Sequence, residues 1–85
     1  MAYSEEKVAA MVRMLVEPLV ENKDALAIEV FSQDERTDVV EISVAESDRG
    51  KVIGRAGRAI KAVRTLVRAS VYAKDKNILV ELAED

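Results

Sequence analysis

Apolar residues near the amino end of this chain recur at the spacing of an α-helix. They lie three or four positions apart, at Val8, Met11, Val12, Leu15, Val16, Leu19 and Val20. Ser4 precedes the stretch as a candidate N-cap, and Glu5 and Glu6 occupy the first turn, where acidic side chains are favourable. The pattern predicts an amphipathic helix that Pro18 kinks or restarts near Glu17 and that ends at 22–24.

Further along the chain the apolar residues alternate with polar ones. The alternating apolar positions are, in chain order, Leu26, Ile28, Val30, Val40, Ile42, Val44, Ile78, Val80 and Leu82. A period of two predicts β-strands with one apolar face. The polar stretch 32–37 separates the first two strands, so these are expected to form a hairpin.

Between the second and third strands the sequence predicts two helices joined by a glycine turn. Ser47 or Asp48 can cap a short helix over 49–53, the turn spans 54–57, and 58–73 contains no helix breaker. A connection of about 30 residues through two helices suits a right-handed crossover between parallel strands. We therefore expect an α+β fold of order α-β-β-α-α-β, with a mixed three-stranded sheet and three helices packed on one face.

Composition excludes most enzyme classes. The 85 residues, 49% of them apolar, predict one domain over 1–85, near the lower size limit for a core without disulfides or metal. The chain has no Cys and no His, which excludes disulfides, Cys/His zinc sites and catalysis by thiolate or imidazole. The glycine turn matches neither a P-loop nor a dinucleotide-binding fingerprint. We expect no enzymatic activity, no cofactor, no metal and no small-molecule substrate.

The sequence contains no basic-then-apolar leader and no apolar run of about 18 residues. A soluble, cytoplasmic protein without a membrane partner is therefore expected.

Charge is distributed very unevenly along the chain. The net charge is −3, but segment 49–74 carries +8 with no acidic residue, whereas the rest of the chain carries −11. The basic residues of this segment are Arg49, Lys51, Arg55, Arg58, Lys61, Arg64, Arg68 and Lys74. A polyanion would be attracted to one face and repelled from the others. We therefore predict a localised contact with nucleic acid.

The basic segment contains Gly50-Lys51-Val52-Ile53-Gly54-Arg55-Ala56-Gly57-Arg58-Ala59-Ile60-Lys61. This stretch resembles the signature of K-homology (KH) domains, in which V-I-G-x-x-G-x-x-I joins two helices. The predicted element order is similar to that of the type II, or prokaryotic, KH domain. The chain length and the stretch Arg58-Ala-Ile-Lys-Ala-Val-Arg-Thr-Leu-Val67 resemble the bacterial stand-alone single-KH RNA-binding proteins called the KH-domain protein A family.

That resemblance implies a non-enzymatic, global RNA-binding protein or RNA chaperone. In the family such a protein works with a larger KH-containing partner and influences genes for cell elongation and envelope synthesis. The resemblance further implies that 54–57 clamps the backbone of about four nucleotides of single-stranded RNA. The residues expected to bind RNA are Lys51, Val52, Ile53, Gly54, Arg55, Ala56, Gly57, Arg58, Ile60, Lys61 and Arg64.

The chemistry of the turn agrees with such a clamp. Two glycines three positions apart allow a sharp turn and let a phosphate approach without a Cβ in the way. The following helix presents unpaired amides and the positive end of its dipole to the same phosphate. Two alternatives stay open: the turn could simply connect two helices, and Lys61, Arg64 and Arg68 could form a solvated face.

The long predicted helix also has an unusually wide apolar face. Its apolar residues cover about 200° of a helical wheel, more than the ~100° stripe that packing on one sheet requires. Small residues on the excess side predict a homodimer, or a heterodimer with a second KH protein, through Ala62, Leu66, Ala69 and Ala73. The alternative is that the first helix covers this surface. A dimerisation module in which RNA binding is secondary is therefore the second function considered; the RNA targets, and the choice between RNA and single-stranded DNA, stay open.

Overall fold

The computed structural model describes residues 4–73 and 75–84. Its main elements are α1 (Glu5–Val16), β1 (Ala27–Ser32), β2 (Thr37–Ser43), α2 (Arg49–Ile53), α3 (Arg58–Ala69) and β3 (Asn77–Leu82). The predicted order of elements is confirmed. Lys74, the last residue of the basic segment, lies outside the described residues.

The sheet has β2 at its centre. β1 and β2 are antiparallel, with Val30 opposite Val40, whereas β2 and β3 are parallel, with Val40 opposite Val80. The parallel pairing confirms the crossover that was predicted through α2 and α3, and with it the mixed three-stranded α+β fold.

The core lies between the sheet and the helices. α1 packs against β1 and α3 packs against β3. The fully or nearly buried apolar side chains of the two helices are Val8, Val12, Val16, Ile60, Val63 and Val67, and those of the sheet include Val40, Ile42, Ile78 and Val80. The helical residues recur three or four positions apart and the strand residues two apart, as their local periodicities require.

The other sheet face carries a row of acidic residues. Glu29, Glu41 and Glu81 occupy neighbouring positions on the three strands. Because strand residues alternate between faces, these glutamates lie on the face opposite Val40 and Val80 of the core. A polyanion is therefore repelled from this face of the sheet.

Both long helices are shorter than the sequence predicts. α1 ends at Val16, and Pro18 follows in a 3₁₀ turn over Glu17–Leu19, so the predicted break near Glu17 is confirmed but the predicted end at 22–24 is wrong. α3 ends at Ala69, and Ser70 is extended. The Ser70 hydroxyl donates to the Val67 carbonyl at 2.8 Å, a local side-chain bond that competes with helix continuation. Val71–Ala73 forms a separate 3₁₀ turn.

Candidate nucleic-acid interface

The glycine turn joins α2 to α3 through three residues with positive φ. Gly54 has φ +77°, Ala56 +57° and Gly57 +75°. The Gly54 amide donates to the Gly50 carbonyl at 2.9 Å and closes α2, and the Gly57 amide donates to the Gly54 carbonyl at 3.1 Å. Gly57 then occupies the N-cap position of α3, where no side chain of the described residues caps the helix. The Arg58 amide donates to the Arg55 carbonyl, so only the later amides in the first turn of α3 are available to an external anion.

Gly54 is also required by packing. A Cβ at this position would lie 2.7 Å from the Ala59 Cβ and 2.8 Å from the Ala59 backbone nitrogen. The absent side chain lets the end of α2 approach the first turn of α3 closely. Ala56 differs, because an L-residue in the left-handed region costs about 1–2 kcal/mol and its side chain is exposed. The turn thus holds Ala56 in a strained conformation at its outer surface.

An open groove of about 630 Å³ lies beside the turn. It runs between α2, α3 and the carboxyl end of β3, and is lined by Glu41, Arg49, Ile53, Ile60, Arg64, Glu81, Leu82, Ala83 and Glu84. Ile53 is 39% exposed, so the groove presents an apolar surface on which an unstacked base can rest. Basic side chains lie on its helical side and acidic ones mainly on its strand side.

Two arginines of α3 bind the outer edge of β3. Arg64 Nε donates to the Val80 carbonyl at 2.9 Å, and Arg68 Nε donates to the Ile78 carbonyl at 3.2 Å. Neither guanidinium forms a salt bridge with a carboxylate among residues 4–73 and 75–84. Both side chains are thus held in place by neutral groups, and within the described residues neither is engaged in an ion pair.

The three basic residues nearest the turn are exposed. Arg55, Arg58 and Lys61 form no salt bridge within the described part of the chain, and all three belong to the exposed class of side chains. Together with the uncapped amides of α3, they make the turn a region of unbalanced positive charge.

The two basic residues of α2 are engaged differently. The Lys51 ammonium binds the carboxylate of Glu21 and lies 3.5 Å from that of Asp48. The hydrogen bond with Glu21 is the main reason that the pKa of Lys51 is raised. The Arg49 guanidinium donates to the Ala83 carbonyl. The fold therefore already uses both cations, one to hold the loop after α1 and the other to hold the end of β3.

Val52 differs from the other residues of the predicted RNA contact. Its side chain is 0% exposed and belongs to the core, so it supports the groove through packing and offers no surface to a ligand. Ile60 is 7% exposed and lies at the groove floor.

The sequence pattern did not reveal the acidic residues of the groove or the bonds that hold Arg64 and Arg68. The signal for those bonds is that the two arginines lie four residues apart on a helix that packs beside β3.

Three of the four residues predicted to form the dimer surface lie on the exposed face of α3, and the fourth does not. Ala62, Leu66 and Ala69 are exposed, and Leu66 is 48% exposed. The prediction that Ala73 joins them is wrong, because α3 ends before this residue and Ala73 is buried in the core. α1 leaves the three exposed residues uncovered, so the alternative that α1 covers this face is also wrong.

Within the described part of the chain, no helix has the length and apolar character needed to cross a membrane.

The sequence of this chain is similar to those of KH domains. The model of the KhpA/KhpB KH domain matches residues 9–82. RNA-binding protein KhpA of Caldanaerobacter subterraneus is 36% identical over 72 residues, which cover 85% of this chain and 95% of the relative. RNA-binding protein KhpA of Listeria monocytogenes is 38% identical over 77 residues, covering 87% and 96%. The Aquifex aeolicus protein of that name is 34% identical over 74 residues, covering 87% and 92%. No solved structure matches the chain.

Proposed function

Because this chain belongs to the KhpA/KhpB KH-domain family, whose members are non-enzymatic RNA-binding proteins, we propose that it binds single-stranded RNA. The binding site consists of the Gly54–Gly57 turn and the groove beside it. The observation that carries the proposal is the uncapped start of α3, next to basic side chains that lack acidic partners in the described structure.

Each part of the site has a distinct task. The amides after Arg58 and the cations Arg55 and Arg58 bind phosphates, and Lys61 and Arg64 continue this line along α3. Ile53 and Ile60 provide the surface on which bases rest, supported from below by Val52. Lys51 lies at the margin of the site. Because its ammonium already interacts with Glu21 and Asp48, only part of its charge is available to RNA.

The groove favours one strand over two. Glu41, Glu81 and Glu84 lie mainly on the side opposite the helical cations, so a duplex would bring its second phosphate backbone against carboxylates. Bases that reach Ile53 must also be unpaired. Single-stranded RNA therefore suits the groove better than a duplex of equal length.

We further propose the finer role that the family resemblance implies. The protein acts in the cytoplasm as a global RNA-binding protein or RNA chaperone, together with a larger KH-containing partner, and affects genes for cell elongation and envelope synthesis. Self-association, or association with that partner, uses the exposed face of α3 at Ala62, Leu66 and Ala69. An interaction module whose RNA binding is secondary is the second candidate function, which the exposure of Leu66 favours.

Replacing Arg55 and Ala56 together with Asp tests the RNA site. Both side chains are exposed, and Asp tolerates the left-handed conformation of position 56 better than most residues, so folding is expected to be preserved. Two carboxylates would then face the phosphates, and affinity for a short unstructured RNA should be abolished. The measurement is fluorescence anisotropy, with circular dichroism and thermal melting to verify the fold.

The matched control is the pair Lys7→Asp and Ala10→Asp, which changes the net charge by the same amount on the exposed side of α1. It should retain binding. For the wild type, three or four phosphate contacts imply a slope of log affinity against log salt of roughly −2 to −3. Unchanged affinity of the Arg55/Ala56 variant, or preference for a duplex, would contradict the proposal.

A further inference from the structure

The helices pack on one face of the sheet, and the other face stays open. The core cluster joins the helices to even-numbered positions of the three strands. The odd-numbered positions point to the opposite side, because strand residues alternate between faces. We call this side the open sheet face and define it by Glu29, Phe31, Val39, Glu41, Leu79 and Glu81.

One row of the open sheet face is apolar. Phe31, Val39 and Leu79 lie directly opposite one another on the three strands. Val39 is 3% exposed but does not belong to the core cluster, so it lies in a separate apolar patch. Phe31, the only phenylalanine of the chain, is 47% exposed. Exposed apolar surface that is bordered by charged residues is typical of contact sites.

The neighbouring row of the open sheet face is acidic. Glu29, Glu41 and Glu81 lie opposite one another, two positions along each strand from the apolar row. None of them forms a salt bridge with any of residues 4–73 and 75–84. Like charges directly opposite each other destabilise a sheet. The row therefore costs stability in the isolated protein, and a partner that brings cations would remove this cost.

The charge of the open sheet face selects among its occupants. A nucleic acid is repelled by the carboxylates. Two copies that met through this face would bring the carboxylates of one against the carboxylates or the apolar row of the other, and both contacts are unfavourable. The glutamates form a row and are not gathered around one point; among the described residues, no acidic group is arranged to hold a metal ion. A basic segment of another protein complements both rows.

The spacing of the two rows fits an α-helix that lies across the strands. Neighbouring strands are about 4.8 Å apart, so the three glutamates span about 10 Å. A helix places one side chain of a given face on each turn of 5.4 Å, close to the spacing of the strands. The apolar row lies about 7 Å from the acidic row, within the width of a helix, which is about 10 Å.

We propose that the open sheet face binds an amphipathic helix of another protein, in which Lys or Arg recurs every three or four positions beside an apolar stripe. The cations pair with the three glutamates, and the apolar stripe covers Phe31 and Leu79. This contact goes beyond RNA binding and does not depend on it. Glu41 and Glu81 also border the groove beside the glycine turn, whereas Glu29 and Phe31 line no part of that groove, so these two residues distinguish the two functions.

The test uses two labelled synthetic peptides of about 18 residues, long enough to form a helix. One carries Arg on every turn beside a leucine stripe, and in the other Glu replaces each Arg. Anisotropy should show that the wild type binds the basic peptide and not the acidic one. Phe31→Thr, which keeps a residue suited to a strand, should weaken binding roughly tenfold, and Glu29→Gln roughly threefold. Both variants should retain the RNA affinity of the wild type.

The matched controls lie on α1. Met14→Thr changes an apolar side chain that is 66% exposed, and Glu6→Gln removes the same charge as Glu29→Gln from an exposed position. Neither should affect the peptide. Failure of the wild type to bind the basic peptide, equal binding of the acidic peptide, or losses in the controls as large as those of Phe31→Thr and Glu29→Gln would overturn the proposal. A change in the mass of the protein on Phe31→Thr, measured by light scattering, would show that a second copy covers this face and would also overturn it.

Glu41→Gln separates binding from folding. Glu41 lies between the other two glutamates, so its loss relieves repulsion on both sides. The melting temperature should rise by roughly 1–5 °C, while the affinity for the basic peptide falls. A residue that only supports the fold would change stability and binding in the same direction. A melting temperature that falls or stays constant would contradict the cost that we assign to the acidic row and overturn the proposal.

Discussion

At the scale of single residues, the two glycines of the turn have nearly the same φ, but ψ is 170° at Gly54 and 14° at Gly57, and their surroundings differ. A Cβ on Gly54 would meet Ala59 at 2.7–2.8 Å, whereas the nearest atom to one on Gly57 is the flexible Lys61 Cε at 3.8 Å. Gly57→Ala should therefore cost only the strain of a left-handed L-residue, about 1–2 kcal/mol. Gly54→Ala combines a backbone conformation that is essentially restricted to glycine with an overlap with the backbone of α3, and should cost about 3 kcal/mol or more. Urea unfolding of both variants measures the difference, and equal losses would show that Ala59 does not constrain Gly54.

The buried carboxylate of Asp48 is a second residue with a specific task. It accepts hydrogen bonds from the backbone amides of Asn22 at 3.0 Å and Glu21 at 3.1 Å, although it stands directly before α2 as a predicted cap. These two bonds, followed by the charge of Lys51, hold the pKa of Asp48 below its ordinary value of 3.8. Because the pKa is lower in the folded state, the carboxylate takes up a proton at a higher pH in the unfolded chain than in the folded one. The stabilisation is therefore complete above about pH 4 and is lost as the pH falls through the folded-state pKa.

Asp48→Asn should accordingly melt at a lower temperature than the wild type at pH 7. The difference should shrink as the pH is lowered below about 4, because the wild type loses its advantage there. Asp24→Asn, at an exposed aspartate after α1, is the matched control. A difference in melting temperature between Asp48→Asn and the wild type that stays constant from pH 7 to pH 2 would contradict this assignment.

At the scale of elements, α3 contributes to the core, to the glycine turn and to the edge of β3. Its buried side contributes Val63 and Val67 to the core, its start forms the turn, and Arg64 and Arg68 reach the edge of β3. The last contact covers a strand edge that would otherwise expose unpaired carbonyls. The same two side chains therefore contribute to stability by holding the edge of β3.

At the scale of the whole molecule, the exposed face of α3 points to self-association. Ala62 and Ala69 allow a second backbone to approach, and Leu66 is a large apolar side chain that is 48% exposed. Two linked grooves would gain affinity through effective concentration, because each alone binds few nucleotides. We expect a dimer in light scattering at micromolar concentration, and conversion to a monomer by Leu66→Lys or Ala69→Lys.

Ala27→Lys is the control for that experiment, since it introduces the same side chain at an exposed alanine on β1. It should leave the dimer intact. A monomeric mass of the wild type, unchanged by Leu66→Lys and Ala69→Lys, would show that the isolated protein does not self-associate through this face. A heterologous partner would then be the remaining candidate to cover it.

The sequence alone determined the order of elements, the buried face of each, the short helix over Arg49–Ile53 and the glycine turn. The residues around that turn also identified the family correctly. These features depend on local signals: periods of 3.6 and two residues, and the freedom of glycine at positive φ. Helix ends were less predictable, because Ser70 stops α3 through a bond of its own hydroxyl.

Only the tertiary structure decided what each basic residue binds. Lys51 meets Glu21 across 30 positions of sequence, and Arg68 meets the Ile78 carbonyl across 10. The burial of Val52 and Ala73 likewise depends on how α2 and the turn after α3 pack against the rest of the core. A charge pattern shows how much positive charge a segment carries, but the partners of each charge are set by long-range packing, which the sequence pattern does not specify.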